Sequence, residues 1–558
     1  MRVRRIAVVA VVAGGCLAPA GTAGASPGAQ QGSARPARQA VLPLGAPGLQ
    51  ESRSTAQIAP GATLTTITRG RPSDADFWTV TAGFSATRPE AERLASRLRA
   101  AGFPARVEQV DGRAADDPEQ GPVGFVVRTG RSSSQADMNA LQARLAAAGF
   151  SGTSVTHTAL DGRPTSGPWV VHILDVDLHR FRGSVQAHLG TDIVPERETT
   201  SSIARRTAAL AGVNGGYFVI PPADGTPGDL AGISVVDGRL VSEAVNGRAA
   251  LALGGHPGHS GQADVRRLST ALSLTSTDGA TRVLNGRNRK PGLIRSCGEP
   301  GAQPTQRPKH DFTCTNPDDL VQFDSDFGTS ADSGPGEQAV LDRRGRVLSL
   351  QPTRGGSIPP GGSVVEGIGS GAKWLAGHAA VGRVLRVRTE VDDERGRRVG
   401  TGPTTDIVNG GPLLVRNGRP FVDANAEGFV QPDRPDFYYG FAVRRNPRTM
   451  AGVTARDHLL LVTVDGRQPG YSVGLSFPEE SAVMASLGAR DALNLDGGGS
   501  TTTVGRGATV LGRPSDTTGE RPVGDAVLLY PPQRGMDEGQ RGADGQQGRD
   551  GHRHGAQA

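Results

Sequence analysis

Residues 489–504 read ARDALNLDGGGSTTTV, an apolar run that breaks into three successive glycines. Over Leu493 to Asp496 apolar and polar positions alternate. A strand therefore sends Leu493 and Leu495 to the core and Asn494 and Asp496 to the opposite face. A carboxylate is displayed at a strand end. Gly497, Gly498 and Gly499 then allow close approach of the backbone to a ligand, and their N–H groups predict a nest for an anion. A plain turn needs neither the paired amide nor three glycines, so this stretch is the leading candidate for chemistry.

The same grammar extends outward. Short apolar runs at 170–176, 232–236, 384–387 and 459–464 read as strands, and Asp237-Gly238 and Asp465-Gly466 as turns closing two of them. Helical periodicity is confined to 200–211 and 479–487. With 80 Gly and 39 Pro in 558 residues, the composition favours many turns and short strands over bundles or coiled coils. The expected class is α+β, with a large strand-dominated domain over residues 168–532. Three further stretches in it cluster glycine with amide or charge: 211–218 (AGVNGGYF), 406–414 (DIVNGGPLL), and 448–452 (RTMAG), which leads to 464–467 (VDGR) and Ser472-Val473-Gly474. Single Asn-Gly pairs at Asn246, Asn285 and Asn417 read as hairpin turns.

Charge and motifs exclude several classes. The net charge of +6 includes Arg2, Arg4 and Arg5 in the first segment, and the remainder forms no basic stripe with interleaved aromatics, so nucleic acid is not an expected partner. Asp326-Phe327-Gly328 copies a kinase tripeptide without any other kinase element. His172 and His179 lie in or beside a strand and no HExxH occurs, which disfavours a zinc hydrolase.

Residues 1–25 read as an export signal: a basic start, an apolar run from Ile6 to Ala13, and small residues at Ala23-Gly24-Ala25. The run is too short to span a membrane. Cys16 after Gly14-Gly15 offers lipid attachment as the alternative, against which Ala13 stands where a larger aliphatic is usual. Past Ala25 only Cys297 and Cys314 remain, which in an oxidising compartment are expected to pair. His310 alone supplies no metal set beside them. The expected location is secreted or cell-wall associated. Residues 26–72, rich in Ala, Gly, Pro, Ser and Gln, read as a disordered linker, and 533–558 as a disordered tail.

Residues 73–160 contain an internal repeat of strand, helix and Gly-Phe stop. Phe77 to Phe84 precedes the helix 89–101 and Gly102-Phe103, and Phe125 to Gly130 precedes the helix 135–148 and Gly149-Phe150. Two such halves make a small βαββαβ sheet with both helices on one face. Residues 77–107, FWTVTAGFSATRPEAERLASRLRAAGFPARV, resemble the first half of SPOR domains, and 125–158 the second. That resemblance implies peptidoglycan binding on the exposed sheet face; the alternative is an accessory domain that only packs on the catalytic one.

The motifs of the large domain, taken in order, resemble the phosphodiester glycosidase family: RETTSSIARRTAALAGVNGGYF (197–218), GSIPPGGSVVEGIGSGAKWL (356–375), IVNGGPLLV (407–415), NPRTMAGV (446–453), LLLVTVDGRQPGYSVGLS (459–476) and LGARDALNLDGGGSTTTV (487–504). Residues 256–309 depart from it, being longer and more irregular than expected. The resemblance implies hydrolysis of a sugar–phosphodiester or related glycosidic bond in cell-envelope or extracellular polysaccharide. Such chemistry needs an acid or base at the scissile bond, cations for phosphate and hydrogen bonds to sugar hydroxyls. Asp496 and Glu198 are the expected carboxylates, with Asp465 as a substitute for either. Arg448 and Arg467 would hold phosphate, and Asn214, Asn409, Asn494, Ser472 and Ser500 would orient hydroxyls or line the nest. Gly215, Gly216, Gly410, Gly411, Thr449 and the triple glycine complete the expected substrate-binding set. Glu198 also reads as a capping acid before the helix at Thr200, and Arg448 as a core-edge ion pair. A calcium ion among Asp465, Asp496 and their neighbours is left open. Two other functions stay open: an endo-glycosidase on wall polysaccharide without phosphate, and a non-enzymatic wall-glycan-binding protein.

Overall fold

A computed structural model describes residues 41–245, 247–254, 261–296 and 313–532. The expected signal segment, Cys16, Cys297 and the tail lie outside the described residues. Strand holds 41% and helix 17%, and the named strand pairs are antiparallel except one, Gly286–Arg287 beside Leu320–Phe323. Helices segregated from a predominantly antiparallel framework make the class α+β.

An eight-stranded sheet organises the molecule. Its order is Glu51–Ala59, Ala62–Arg69, Trp169–Asp177, His458–Val464, Arg448–Thr454, Ala489–Asn494, Leu413–Arg416, Arg419–Pro420. The run Leu459 to Val464 fails to alternate because both faces of its strand are covered. Leu459 and Leu461 join one core, with Leu174, Val213, Leu493 and Val527. Leu460, Val462 and Val464 join a second, with Trp169, Met450 and Met484 of the helix Phe477–Ser486. Burying both faces of a central strand requires this continuous apolar pattern.

The first two strands of that sheet correct the linker expectation for residues 26–72 over 51–69, while 26–40 lie outside the described residues. Ala62–Arg69 pairs along its length with Trp169–Asp177, and Ala62, Leu64, Ile67 and Arg69 are buried. Composition had outweighed pattern: the threonines of ATLTTITR are β-branched residues on a half-buried strand. Within 256–309 the described residues include the 15-residue strand Gln262–Ser276, which pairs with Arg248–Gly254 and Leu385–Asp393.

Between Arg69 and Trp169, which are register partners, the chain leaves the sheet and builds the small domain. Its sheet runs Ala105–Val110, Gly124–Ser132, Trp78–Ser85, Ser154–His157. The helices Arg88–Ala100 and Gln135–Ala147 cover one face, through Ala91, Ala95, Leu98, Met138 and Leu145 against Val80, Phe125 and Val127. The order is the expected βαββαβ. The other face is not open. Phe84 stacks on Tyr439 with ring centroids 5.1 Å apart, and Val110 and Val126 share a core with Phe429, Tyr438 and Phe477. Among the described residues no helix is long and apolar enough to cross a membrane.

Candidate active site

One end of the eight-stranded sheet gathers the marked loops. Ala489–Asn494 runs toward it and Arg448–Thr454 away from it, with Met450 opposite Asn494. Antiparallel pairing thereby sets the end of one strand beside the beginnings of its neighbours. Hydrogen bonds between loops hold the assembly. The Asn214 Nδ2 donates to the Asp496 carbonyl (2.8 Å), and the Asp496 N–H donates to the Gly215 carbonyl (3.2 Å). The Gly411 N–H donates to the Asn494 carbonyl (2.7 Å), and the Tyr217 N–H to Asn409 Oδ1 (2.9 Å). Three sequence-remote stretches meet within hydrogen-bond distance.

Two glycines make that approach possible. A β-carbon on Gly215 would stand 2.3 Å from Asp525 Oδ1, and one on Gly216 2.5 Å from the Asn409 carbonyl oxygen. Either contact is too short for any other residue without moving a neighbour.

Several expected ligand-binding groups are engaged by the protein itself. Asn214 Oδ1 accepts from Thr449 Oγ1 (2.7 Å) and from the Thr502 N–H (3.1 Å). Asn409 binds both backbone groups of Tyr217. These amides are stitches between loops. Asn494 is different. Its Nδ2 donates to the Tyr217 hydroxyl (2.5 Å) and the Gly411 carbonyl (3.1 Å), while its Oδ1, the Ser500 hydroxyl and the Thr502 hydroxyl are buried without a protein partner. Buried polar atoms with open valences beside a half-buried carboxylate mark where a polar ligand fits.

The triple glycine is not the open nest expected from sequence. The Gly497 N–H donates to Asp496 Oδ1 (2.9 Å) and the Gly498 N–H to the Pro447 carbonyl (2.9 Å). The glycines serve close packing of cations instead. A β-carbon on Gly498 would lie 3.2 Å from the Arg467 guanidinium, and one on Gly499 2.3 Å from Arg521 Nη2 and from Asp516 Oδ2. Arg467 is exposed. The surrounding protein, followed by the charges of Arg448 and Arg521, pushes its guanidinium below the ordinary arginine range. An anion placed there would relieve this crowding of like charges.

Arg448 requires a correction. It is 1% exposed, donates from Nε to the Leu475 carbonyl (3.0 Å) and from Nη2 to the Phe441 carbonyl, and lies 2.8 Å from Glu480 between the Phe441 and Phe477 rings. Burial pushes the Glu480 carboxyl up to about 8 against the pull of Arg448. Arg448 underlies the site, and its charge is felt at Arg467.

Glu198 lies just before the helix Thr200–Arg206, whose N-cap is Thr199, and is tied into the protein rather than capping that helix. It accepts from Ser202 Oγ (2.6 Å), the Thr191 N–H (3.1 Å) and Arg206 (3.0 Å). Despite burial, the bonds from Ser202 and Arg206 hold its pKa below the usual range. Asp465 accepts from the Tyr471 hydroxyl (2.7 Å) and the Arg513 N–H (2.9 Å). Ser472 stands at the centre of a Gly-x-Ser-x-Gly pattern. Its hydroxyl donates to the Asp465 carbonyl and accepts the Val170 N–H (3.0 Å), an arrangement that fixes a loop and leaves no activated nucleophile. Among the described residues no three His, Cys, Asp or Glu side chains group as metal ligands. Cys314 is buried on the strand Thr313–Thr315.

The sequence reading missed Asp525, which begins the strand Asp525–Tyr530. It is 1% exposed. Oδ1 accepts the Gly216 N–H (2.8 Å), and Oδ2 is buried without a protein partner. Burial, with the charge of Asp496 adding, pushes it up to about 7. A second carboxyl, whose proton is held up to neutrality, thus lies beside Asp496. The only sequence signal is a carboxylate after Gly524 in GERPVGDAV, too common a pattern to single out. Tyr217, within the quoted AGVNGGYF, and Arg521 were likewise unassigned.

Comparison with known proteins now bears on this geometry. Residues 337–530, which carry Arg448, Arg467, Asp496 and Asp525, match the family Phosphodiester glycosidase. The chain carries a phosphodiester glycosidase domain. Residues 74–156 match the SPOR domain, which is inserted between two strands of the central sheet. A crystal structure of a Burkholderia pseudomallei K96243 protein, described as exported, is similar at TM-score 0.82 and 39% identity, covering 88% of this chain and 98% of that one. A hypothetical protein from Synechocystis is similar in fold at TM-score 0.51 and 18% identity, covering 86% of this chain and 79% of the other. No curated protein matches.

Proposed function

We propose that the protein is an exported glycoside hydrolase that cleaves a sugar–phosphodiester bond in cell-envelope or extracellular polysaccharide. The observation that carries this reading is the gathering, around one glycine loop, of the Asp496 carboxylate, the Arg467 guanidinium beside Gly498 and the Arg521 guanidinium, paired with Asp516, beside Gly499. Guanidinium forks suit a phosphate diester, and a nearby carboxylate suits proton transfer at the glycosidic oxygen or stabilisation of an oxocarbenium-like transition state. Asp525, buried and protonated near neutrality, supports a division of labour in which it keeps Asp496 in position and modulates its charge. The half-buried rings of Phe437 and Phe441, stacked with centroids 5.5 Å apart, supply an apolar surface of the kind a sugar face covers. A SPOR domain and the likeness to a protein described as exported favour a substrate in the envelope.

The test is hydrolysis of a panel of sugar-1-phosphodiesters and nitrophenyl glycosides by the purified protein. The expected result is turnover of a phosphodiester that collapses in Asp496→Asn and whose KM rises in Arg467→Ala. Turnover of a phosphate-free polysaccharide at a rate indifferent to Arg467→Ala would favour the endo-glycosidase. Binding without hydrolysis across the panel would leave a glycan-binding protein.

A further inference from the structure

The SPOR domain enters and leaves the central sheet at register partners, Arg69 and Trp169, so both of its ends are anchored to the catalytic core. Its helix-free sheet face is then fastened along a second line. Arg128, on the central strand Gly124–Ser132 and 1% exposed, donates to Asp161 through both Nη atoms (2.6 and 2.7 Å) and to the Tyr439 hydroxyl (3.1 Å). Asp161 raises the guanidinium's affinity for its proton even though burial opposes this. Phe84 stacks on Tyr439 at an interplanar angle of 20°, and Arg444 donates to Thr156. From the loop before the same strand, Asp116 accepts the N–H groups of Asn425 (3.1 Å) and Ala426 (2.7 Å).

What this face grips leads into the candidate active site. Tyr439–Val443 is a single π-helical turn, a geometry found at functional positions. Its Tyr439 side faces the SPOR sheet. On the same turn the Phe441 carbonyl accepts from Arg448, and the Phe441 ring stacks on Phe429 at 5.7 Å and lies 6.5 Å from Tyr217. Tyr217 in turn accepts the Asn494 amide. An unbroken series of contacts thus runs from the SPOR sheet to the residue two positions before Asp496.

We propose that the SPOR domain of this protein is a built-in brace of the catalytic unit: its sheet face is the fixed seat of the Tyr439–Val443 turn and the Asn425 loop, and is not a docking face for a peptidoglycan strand. Tyr439, Arg128 and Asp161 are positioning residues in this scheme. The inference stands on packing alone and does not depend on which bond the enzyme cleaves.

Hydrogen exchange on the full mature chain tests both halves without an activity assay. Soluble peptidoglycan glycan strands added to the native protein are expected to leave exchange unchanged over residues 78–85, 105–110 and 124–132. Arg128→Met, and the milder Phe84→Leu should the first variant fold poorly, are expected to speed exchange over residues 437–444 by about tenfold or more, with the strand Ala489–Asn494 unaffected. Protection of the sheet strands by glycan would overturn the proposal. Unchanged exchange over 437–444 in a folded variant would do the same.

Discussion

Replacing Asp525 by Asn isolates the energetics of the buried carboxyl. Its native pKa of about 7 stands above the 3.8 of an unperturbed Asp, so the native state holds a proton that the unfolded chain releases. The stability contributed by protonated Asp525 is fully present below pH 3.8 and is lost as pH rises through 7. Between pH 5 and 7 that loss runs at about 1.4 kcal/mol per unit, hence about 3 kcal/mol in all. Asn retains an oxygen for the Gly216 N–H and carries no charge. Equilibrium urea unfolding of both proteins at pH 5 and pH 8 reads the difference directly. The variant should gain about 3 kcal/mol on the native protein between the two conditions. Unfolding free energies that move in parallel would show that Asp525 is ionised in the folded state and would refute the reasoning.

Asp496→Asn is expected to lower kcat/KM by about 10³-fold or more, a loss of at least about 4 kcal/mol of transition-state stabilisation, while the melting temperature shifts by no more than a few degrees. Gly499→Ala drives a methyl into the Arg521–Asp516 pair at 2.3 Å; steady-state kinetics should show a raised KM for a phosphodiester with little change for a neutral glycoside. Gly216→Ala, meeting rigid backbone, should cost about 1–3 kcal/mol in urea unfolding. Arg448→Met leaves Glu480 buried without its counter-charge and should cost about 3–5 kcal/mol, and Arg448→Met with Glu480→Leu should recover much of it. Failure of the double variant to improve on the single one would argue that Arg448 acts through something other than this pair.

Legibility followed the range of the interactions. The runs at 459–464 and 489–494 announced strands because their apolar pattern is local, and the repeat around Gly102-Phe103 and Gly149-Phe150 announced a βαββαβ sheet for the same reason. The Ala62–Arg69 strand was hidden because its threonines resemble linker composition until a partner strand covers one face. Among site residues Asp496 was visible, since its glycines and paired amide are adjacent in sequence. Asp525 was not, because its neighbours Gly215, Gly216 and Asp496 are supplied by distant segments.

From the chain alone came the strand-rich class, the glycine loops, the small βαββαβ domain and the carboxylate at a strand end, all consequences of spacing along a few residues. The tertiary structure decided which polar groups remain available for a substrate. It turned Asn214, Asn409, Ser472 and Glu198 inward as ties, placed Arg448 beneath the site, brought Asp525 under Asp496, and closed the SPOR sheet against the Tyr439 turn. Side-chain chemistry sets what a residue can do. Whether it does so depends on the hydrogen-bond partners and burial that only folding supplies.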